Sequence, residues 1–198
     1  AKELQHAAAA LEKAVELATI VDTLFADPDS GGYFMVPNDA DPLIAKEKPA
    51  VDNAIPSGNS VMLMNLLRLY EYTLDDTYKK KAQSMIKAFS GQISSNPVLF
   101  ATMLKAVSLF FESPKGIVLA FGEDDEKKQF LDILRSAWLP GRAVAIVNNK
   151  NAEALQSTIP FVQGKTALNN ISTAYVCEQG VCKLPVTTPK DFKNMLLN

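Results

Sequence analysis

The stretch Val61-Met62-Leu63-Met64-Asn65-Leu66-Leu67-Arg68-Leu69-Tyr70 constrains this chain more than any other. A helix apolar on nearly every side has to be surrounded by other helices, because a surface helix needs a polar face. Directly ahead of it lies a bend dense in acid, amide and hydroxyl groups, Asp52-Asn53-Ala54-Ile55-Pro56-Ser57-Gly58-Asn59-Ser60. Pro56 fixes its own φ and Gly58 permits unusual backbone angles. Ser57, Asn59 and Ser60 each carry an oxygen able to cap a helix whose first N–H groups lack partners, so the helix is expected to begin near Ser60. Polar groups at the mouth of a buried helix face whatever cavity that helix borders; the plainer alternative is a well-capped helix start.

The rest of the first half repeats the helical theme. Leu4, Ala7, Ala8, Leu11, Ala14, Val15, Ala18, Val21 and Phe25 recur at helical spacing, which predicts a helix from about Lys2 to Phe25. His6, the sole histidine, sits among Lys2, Glu3 and Gln5 and is read as solvated rather than catalytic. Asp27-Pro28-Asp29-Ser30-Gly31-Gly32 breaks the helix. Its acidic spacing resembles the start of a calcium loop, but position 38 is Asn where a bidentate Glu belongs, so a turn is expected. Residues 33–36 and 43–46 flank a Pro-Asn-Asp cluster and suit a short hairpin. Beyond Thr73, Tyr78, Ala82, Met85, Ile86, Phe89 and Ile93 form one stripe opposite Lys79, Lys80, Gln83 and Lys87, the pattern of a half-exposed helix. A further apolar helix is expected from Pro97 to Phe111, with Asn96 as cap.

At Ser113-Pro114 the pattern changes. Buried strands are expected at 116–121 and 143–147, helices at 124–138 and 152–157, and the alternation implies a β-α-β unit with a parallel pair. Residues 173–177 and 182–186 read as two further strands, and 189–197 as a closing helix. The expected class is therefore mixed α and β, mainly α, with residues 1–112 helical and 113–198 a small α/β segment.

Cys177 and Cys182 flank a four-residue loop, and in a hairpin they would lie opposite each other. A disulfide or redox-responsive pair, a reduced and incidental pair, and a metal-binding pair all remain open. The spacing is not the C-x-x-C of a thioredoxin-type centre, and a zinc site needs about two more ligands, which one distant histidine does not supply. No metal site and no cofactor is assigned.

Charge excludes some partners. With 20 basic and 22 acidic residues, a net charge of −2 and no basic cluster larger than Lys79-Lys80-Lys81, nucleic acid and anionic membranes are poor partners. No apolar run reaches the roughly 18 residues a spanning helix needs, and no signal peptide is read, so a cytoplasmic location is expected. With 47% hydrophobic residues there is ample material for a core. The chain opens at Ala1, already inside a helical pattern, as an excised piece of something longer would.

Several elements in order carry a resemblance: Gly31-Gly32-Tyr33-Phe34, the run from Lys48 through Asp52 to Ala54, Pro56-Ser57-Gly58-Asn59-Ser60, and Thr173-Ala174-Tyr175-Val176-Cys177 with Cys182 and Pro185. Together they are similar to the C-terminal part of the spermatogenesis-associated, thioredoxin-domain-containing family. The resemblance implies an α/α toroid of helical hairpins like that of six-hairpin glycosidases and N-acylglucosamine 2-epimerases, of which this chain would hold the last helices and a terminal α/β piece. A thioredoxin-like domain and earlier toroid helices would be its partners, and their absence would leave apolar faces prone to self-association.

By the same analogy Asp52 would act as an acid/base carboxylate in a carbohydrate-binding or carbohydrate-processing cavity. Asn53, Ser57 and Asn59 would hold the hydroxyls of a sugar-like molecule. The chain departs from that pattern in two ways. Toroid epimerases use histidines, and only His6 is present; sugar hydrolysis uses two carboxylates, and no second one is evident. The alternative expectation is a non-catalytic structural or partner-binding module of a thiol-redox protein, with Cys177 and Cys182 as its responsive groups.

Overall fold

A computed structural model describes residues 2–41, 45–112, 115–139, 141–148, 152–178 and 181–197. The side chain of His6, and Leu43 and Ile44 of the expected hairpin, lie outside the described residues. The fold is mixed and mainly helical. It divides into two compact units, one of residues Leu11–Tyr70 and Asp75–Glu112, the other of Ala1–Ala10, Glu71–Leu74 and Ser113–Asn198.

The first unit is helical. Helix α1 spans Lys2–Phe25, α2 Gly58–Thr73, α3 Asp76–Ser95 and α4 Ala101–Glu112, the last preceded by a 3-10 turn over Pro97–Phe100. Leu63, Leu66, Ala82, Met85, Phe89, Phe100, Met103 and Ala106 form its centre. The stripe expected on α3 is the one buried: Tyr78, Ala82, Met85 and Phe89 face inward. Asp75 starts that helix, accepting from Thr77 N–H at 2.9 Å, and so satisfies one of the N–H groups a helix leaves orphaned.

Three expectations change here. Helix α2 is not enclosed on all sides within this chain, because Val61, Asn65 and Arg68, spaced i, i+4, i+7, form an exposed stripe. The single helix expected over 97–111 is a 3-10 turn followed by an α-helix. Asn96 makes no side-chain cap bond there, and Leu99 and Phe111 of the expected stripe are exposed. Among the described residues, the hairpin expected between 33–36 and 43–46 shows Met35 N–H donating to Glu47 C=O at 2.8 Å. Tyr33 instead bridges back to Ala26, closing the turn over residues 27–32. That turn needs its glycines, since Gly31 and Gly32 have φ of 77° and 81°, in the left-handed region other residues avoid. A Cβ on Gly32 would also come within 2.9 Å of the Phe89 ring.

The second unit holds a four-stranded sheet of β1 (Gly116–Phe121), β2 (Ala143–Asn148), β3 (Thr173–Glu178) and β4 (Val181–Cys182), in the order β2-β1-β3-β4. Strand β1, Gly116–Phe121, is buried along its whole length. It runs parallel to β2, Ala143–Asn148, in the register Gly116↔Ala143, and antiparallel to β3, Thr173–Glu178, in the register Gly116↔Cys177. A strand covered on both faces reads as a continuous apolar run, which is why Gly-Ile-Val-Leu-Ala-Phe is legible as the centre. Helix α5, Lys127–Ser136, supplies the parallel crossover. It packs Phe130 and Leu134 into a core with Phe192 and Leu196 of α7, Pro189–Leu197. Helix α6, Ala152–Thr158, follows β2.

Two elements of this unit are shorter than their patterns imply. Helix α5 begins at Lys127, and Asp124 of its expected first turn accepts from Ser172 N–H at 2.6 Å and from the Ser172 hydroxyl. Strand β4 is only Val181–Cys182. The ladder resumes as an isolated bridge between Val186 and Ala174, on the far side of Pro185, which has no N–H to donate. Among the described residues no helix is long and apolar enough to cross a membrane.

Candidate functional site

The residues singled out ahead of α2 fall into two groups. Asn59 is buried and its amide is hydrogen-bonded through both its oxygen and its nitrogen. Oδ1 accepts from Tyr33 N–H at 2.8 Å, while Nδ2 donates to Tyr33 C=O and to Pro49 C=O, each at 2.9 Å. In effect the side chain replaces a missing strand neighbour for Tyr33 and ties a second loop segment to the start of α2. Ser57 occupies the cap: its Oγ accepts from Ser60 N–H at 3.1 Å and lies 3.0 Å from Ala50 C=O. The buried Ser60 hydroxyl, 2.8 Å from the Ser57 Oγ, completes the group.

Asp52 serves two helices at once. Its Oδ1 accepts from Ser57 N–H at 2.9 Å, at the start of α2, and its Oδ2 from Thr102 N–H at 2.7 Å, in the first turn of α4. Its own N–H donates to Leu99 C=O at 2.7 Å. A carboxylate beside two helix N-termini is favoured by both their unpaired N–H groups and their dipoles. Burial alone pushes this carboxyl up, but the hydrogen bonds from Ser57, Thr102 and Ser60 together outweigh it and hold its pKa below the usual carboxylate range. Asp52 is therefore an anion at neutral pH, with neither oxygen carrying a proton to give. Asn53, by contrast, is exposed, and its backbone N–H donates to Ile55 C=O at 3.1 Å.

A second polar constellation in the same unit escaped sequence reasoning. Asp22 of α1 accepts from the Tyr33 hydroxyl at 2.6 Å and from Lys81 of α3. Burial, followed by the bond to Asp22, pushes the Tyr33 hydroxyl far up. Asp27 accepts from Lys48 at 2.6 Å and caps its own turn through Asp29 and Ser30 N–H. The Lys48 ammonium is the largest of the influences that hold the Asp27 carboxyl below its ordinary range. Lys48 also donates to Gly31 C=O at 3.1 Å and lies over the Phe34 ring. Between this turn and α3 opens a cleft of about 650 Å³, bordered by Asp29, Ser30, Lys80, Ser84 and Lys87. Asp52, Asn53, Ser57 and Asn59 do not line it. Pairs such as Asp22 with Lys81, 59 residues apart, leave no local spacing from which to read them.

In the sheet unit Cys177 and Cys182 are register partners across β3 and β4 and are joined as a disulfide. Among the described residues no three His, Cys, Asp or Glu side chains gather as a metal ion requires.

Fold and polar framework together define a class: a helical layer pinned at the starts of its inner helices, carried on one chain with a small mixed sheet. No family model matches the chain. Individual proteins do. Spermatogenesis-associated protein 20 of Homo sapiens is 31% identical over 197 residues, covering 98% of this chain and 25% of the human protein. Its Mus musculus counterpart is 30% identical over 190 residues, 94% of this chain and 24% of that protein. An uncharacterized protein of Caenorhabditis elegans is 25% identical over 187 residues, 93% of this chain and 25% of its own length. The chain belongs to the spermatogenesis-associated protein 20 family, and it spans about a quarter of the length of the curated relatives it matches.

Proposed function

We propose that this chain acts as a non-catalytic structural module within a longer, cytoplasmic thiol-redox protein, its polar bend fastening helices rather than turning over a substrate. The observation that carries this reading is the saturation of the bend. Both carboxylate oxygens of Asp52 and all three hydrogen-bonding positions used by Asn59 go to the chain's own backbone. A general acid or base needs a pKa near the working pH and an approachable oxygen, and the depressed pKa of Asp52 suits an anchor. In this role the partners are a thioredoxin-like domain and preceding toroid helices. Leu17, Ile20 and Leu24, spaced i, i+3, i+7 and exposed on α1, would be covered by those helices or, without them, by a second copy.

A second reading, a carbohydrate-binding or carbohydrate-processing cavity, is favoured by one feature. Asp52 draws the starts of α2 and α4 together, so that the loops of both helices, with the exposed Asn53, meet at one end. In that reading Asp52 moves a proton while Asn53, Ser57 and Asn59 orient a sugar-like molecule. Asp52→Asn in the full-length protein separates the two. The structural role predicts a lower melting temperature with sugar binding unchanged at temperatures where the variant is folded. The cavity role predicts an unchanged melting temperature and lost binding or turnover.

A further inference from the structure

The disulfide hairpin has features that a simple staple does not need. Its cysteines are only 5 residues apart in sequence, and a cross-link closing so short a loop constrains the unfolded chain less than one closing a long loop. The strands are already held by backbone pairing: Cys177 and Glu178 face Cys182 and Val181, and Lys183 N–H donates to Val176 C=O at 2.9 Å. The two halves of the bond differ sharply in access. Cys177, on a strand sandwiched between β1 and β4, is 6% exposed, whereas Cys182 lies exposed on the edge strand. Glu178, which follows Cys177 on β3 and so points to the opposite face, pairs with Lys115 and Lys183 at 3.4 and 3.7 Å.

We propose that this hairpin is a thiol–disulfide exchange site with a fixed direction, attacked at Cys182 Sγ by a dithiol reductant and releasing Cys177 as the leaving thiolate. The reductant's first thiolate forms a bond to Cys182 Sγ along the line opposite Cys177 Sγ, and the bond between the two cysteines breaks. Cys177 leaves with the electron pair and takes a proton from water. The reductant's second thiolate then attacks its own sulfur in the mixed disulfide and frees Cys182 as a thiolate, which is protonated in turn. The protein disulfide has gained two electrons and two protons, and the dithiol has become a disulfide. Exchange rates depend on which sulfur is approachable, and the strand order leaves Cys182, on the edge, the more approachable of the two. The consequence is confined to the edge: β4 loses its covalent tie while β1, β2 and β3 stay paired. The site involves none of the residues of the polar bend, so the two proposals stand or fall separately.

The test uses the folded wild-type chain. After brief exposure to glutathione and quenching by alkylation, peptide mass spectrometry should find the mixed disulfide on Cys182, and dithiothreitol should complete the reduction without denaturant. In the reduced state the Lys183 amide should lose hydrogen-exchange protection while those of β1 keep theirs. With Ellman's reagent, Cys182 in Cys177→Ser should react about tenfold or more faster than Cys177 in Cys182→Ser. An adduct on Cys177, equal adducts on both, or reduction only in denaturant overturns the proposal, and the glutathione mapping does so even where a serine variant fails to fold.

Discussion

The two units fix their loops by opposite means. The helical unit ties three stretches of chain together with uncharged and anionic side chains that are largely buried and fully hydrogen-bonded: Asn59 to Tyr33 and Pro49, and Asp52 to Ser57 and Thr102. The sheet unit ties its last hairpin with a covalent bond whose outer sulfur belongs to an exposed residue. Removing one partner of a buried, saturated network leaves the others unpaired in a low dielectric, so the cost spreads beyond the deleted group. Removing a cross-link from strands already in register loses only what that link added. The stronger bond is therefore not the one whose loss the fold should feel most.

The largest effect is expected at Asn59. Asn59→Ala orphans the N–H and C=O of Tyr33 and the C=O of Pro49, and should lower stability by about 3 kcal/mol, measurable by urea unfolding. A loss below about 1 kcal/mol would mean that water replaces the amide and that the bend is looser than its geometry implies. Asp52→Asn comes next, at about 2 kcal/mol, because the new NH2 faces a backbone N–H whichever way it turns. It also tests the electrostatics. The Asp52 carboxyl is held below its unfolded value, so its contribution is fully present above the unfolded pKa, near 4, and is lost as pH falls through the folded value. Wild type should weaken below about pH 4 more steeply than Asp52→Asn. Parallel curves would refute the assignment of Asp52 as a doubly anchored anion. Asp27 and Asp75 are also depressed, so some acid sensitivity should persist in the variant.

How much of this was legible in the sequence follows from how far each constraint reaches. The buried stripe of α3, the continuous apolar run of β1 and the parallel β-α-β order are set by neighbours a few residues apart, and periodicity reports them. The bend ahead of α2 was legible as a helix start, because Ser57 and Ser60 interact over three residues. The doubly engaged carboxylate was not, since Thr102 lies 50 residues from Asp52 and nothing local marks it as the partner. For the same reason the acid-and-amide composition that suggests a binding site describes equally well a set of groups spent on their own backbone. The cleft beside α3 was missed because its walls come from a turn and a helix about 50 residues apart. The cysteine pair was placed by its spacing, but spacing is silent on oxidation state.

Lys48 sharpens the comparison at an intermediate level. Its ammonium bonds Asp27 and Gly31, yet its side chain is 22% exposed, so water compensates part of what is lost. Lys48→Met keeps most of the apolar stem and should cost about 1 kcal/mol. The Asp27 carboxyl, relieved of its largest stabilising influence, should titrate at a higher pH. An NMR titration that leaves Asp27 unmoved would show that the turn's own N–H groups, rather than Lys48, hold it down.

A smaller effect than at Asn59 is expected from the covalent bond itself. Replacing both Cys177 and Cys182 by serine removes the cross-link and buries one hydroxyl, at Cys177. A closed loop of this length is worth about 2 kcal/mol by chain entropy, below the loss expected for Asn59→Ala. The comparison inverts if the double variant proves less stable than Asn59→Ala. The hairpin would then hold the sheet's edge in place for the whole second unit, since β3, its inner strand, is the neighbour of the central β1 and carries Ala174 and Val176 into the core. A small global loss, together with fast amide exchange limited to β4, instead means that the edge opens and closes on an intact sheet. That behaviour is what a cross-link with one approachable sulfur permits and a buried clasp of saturated amides does not.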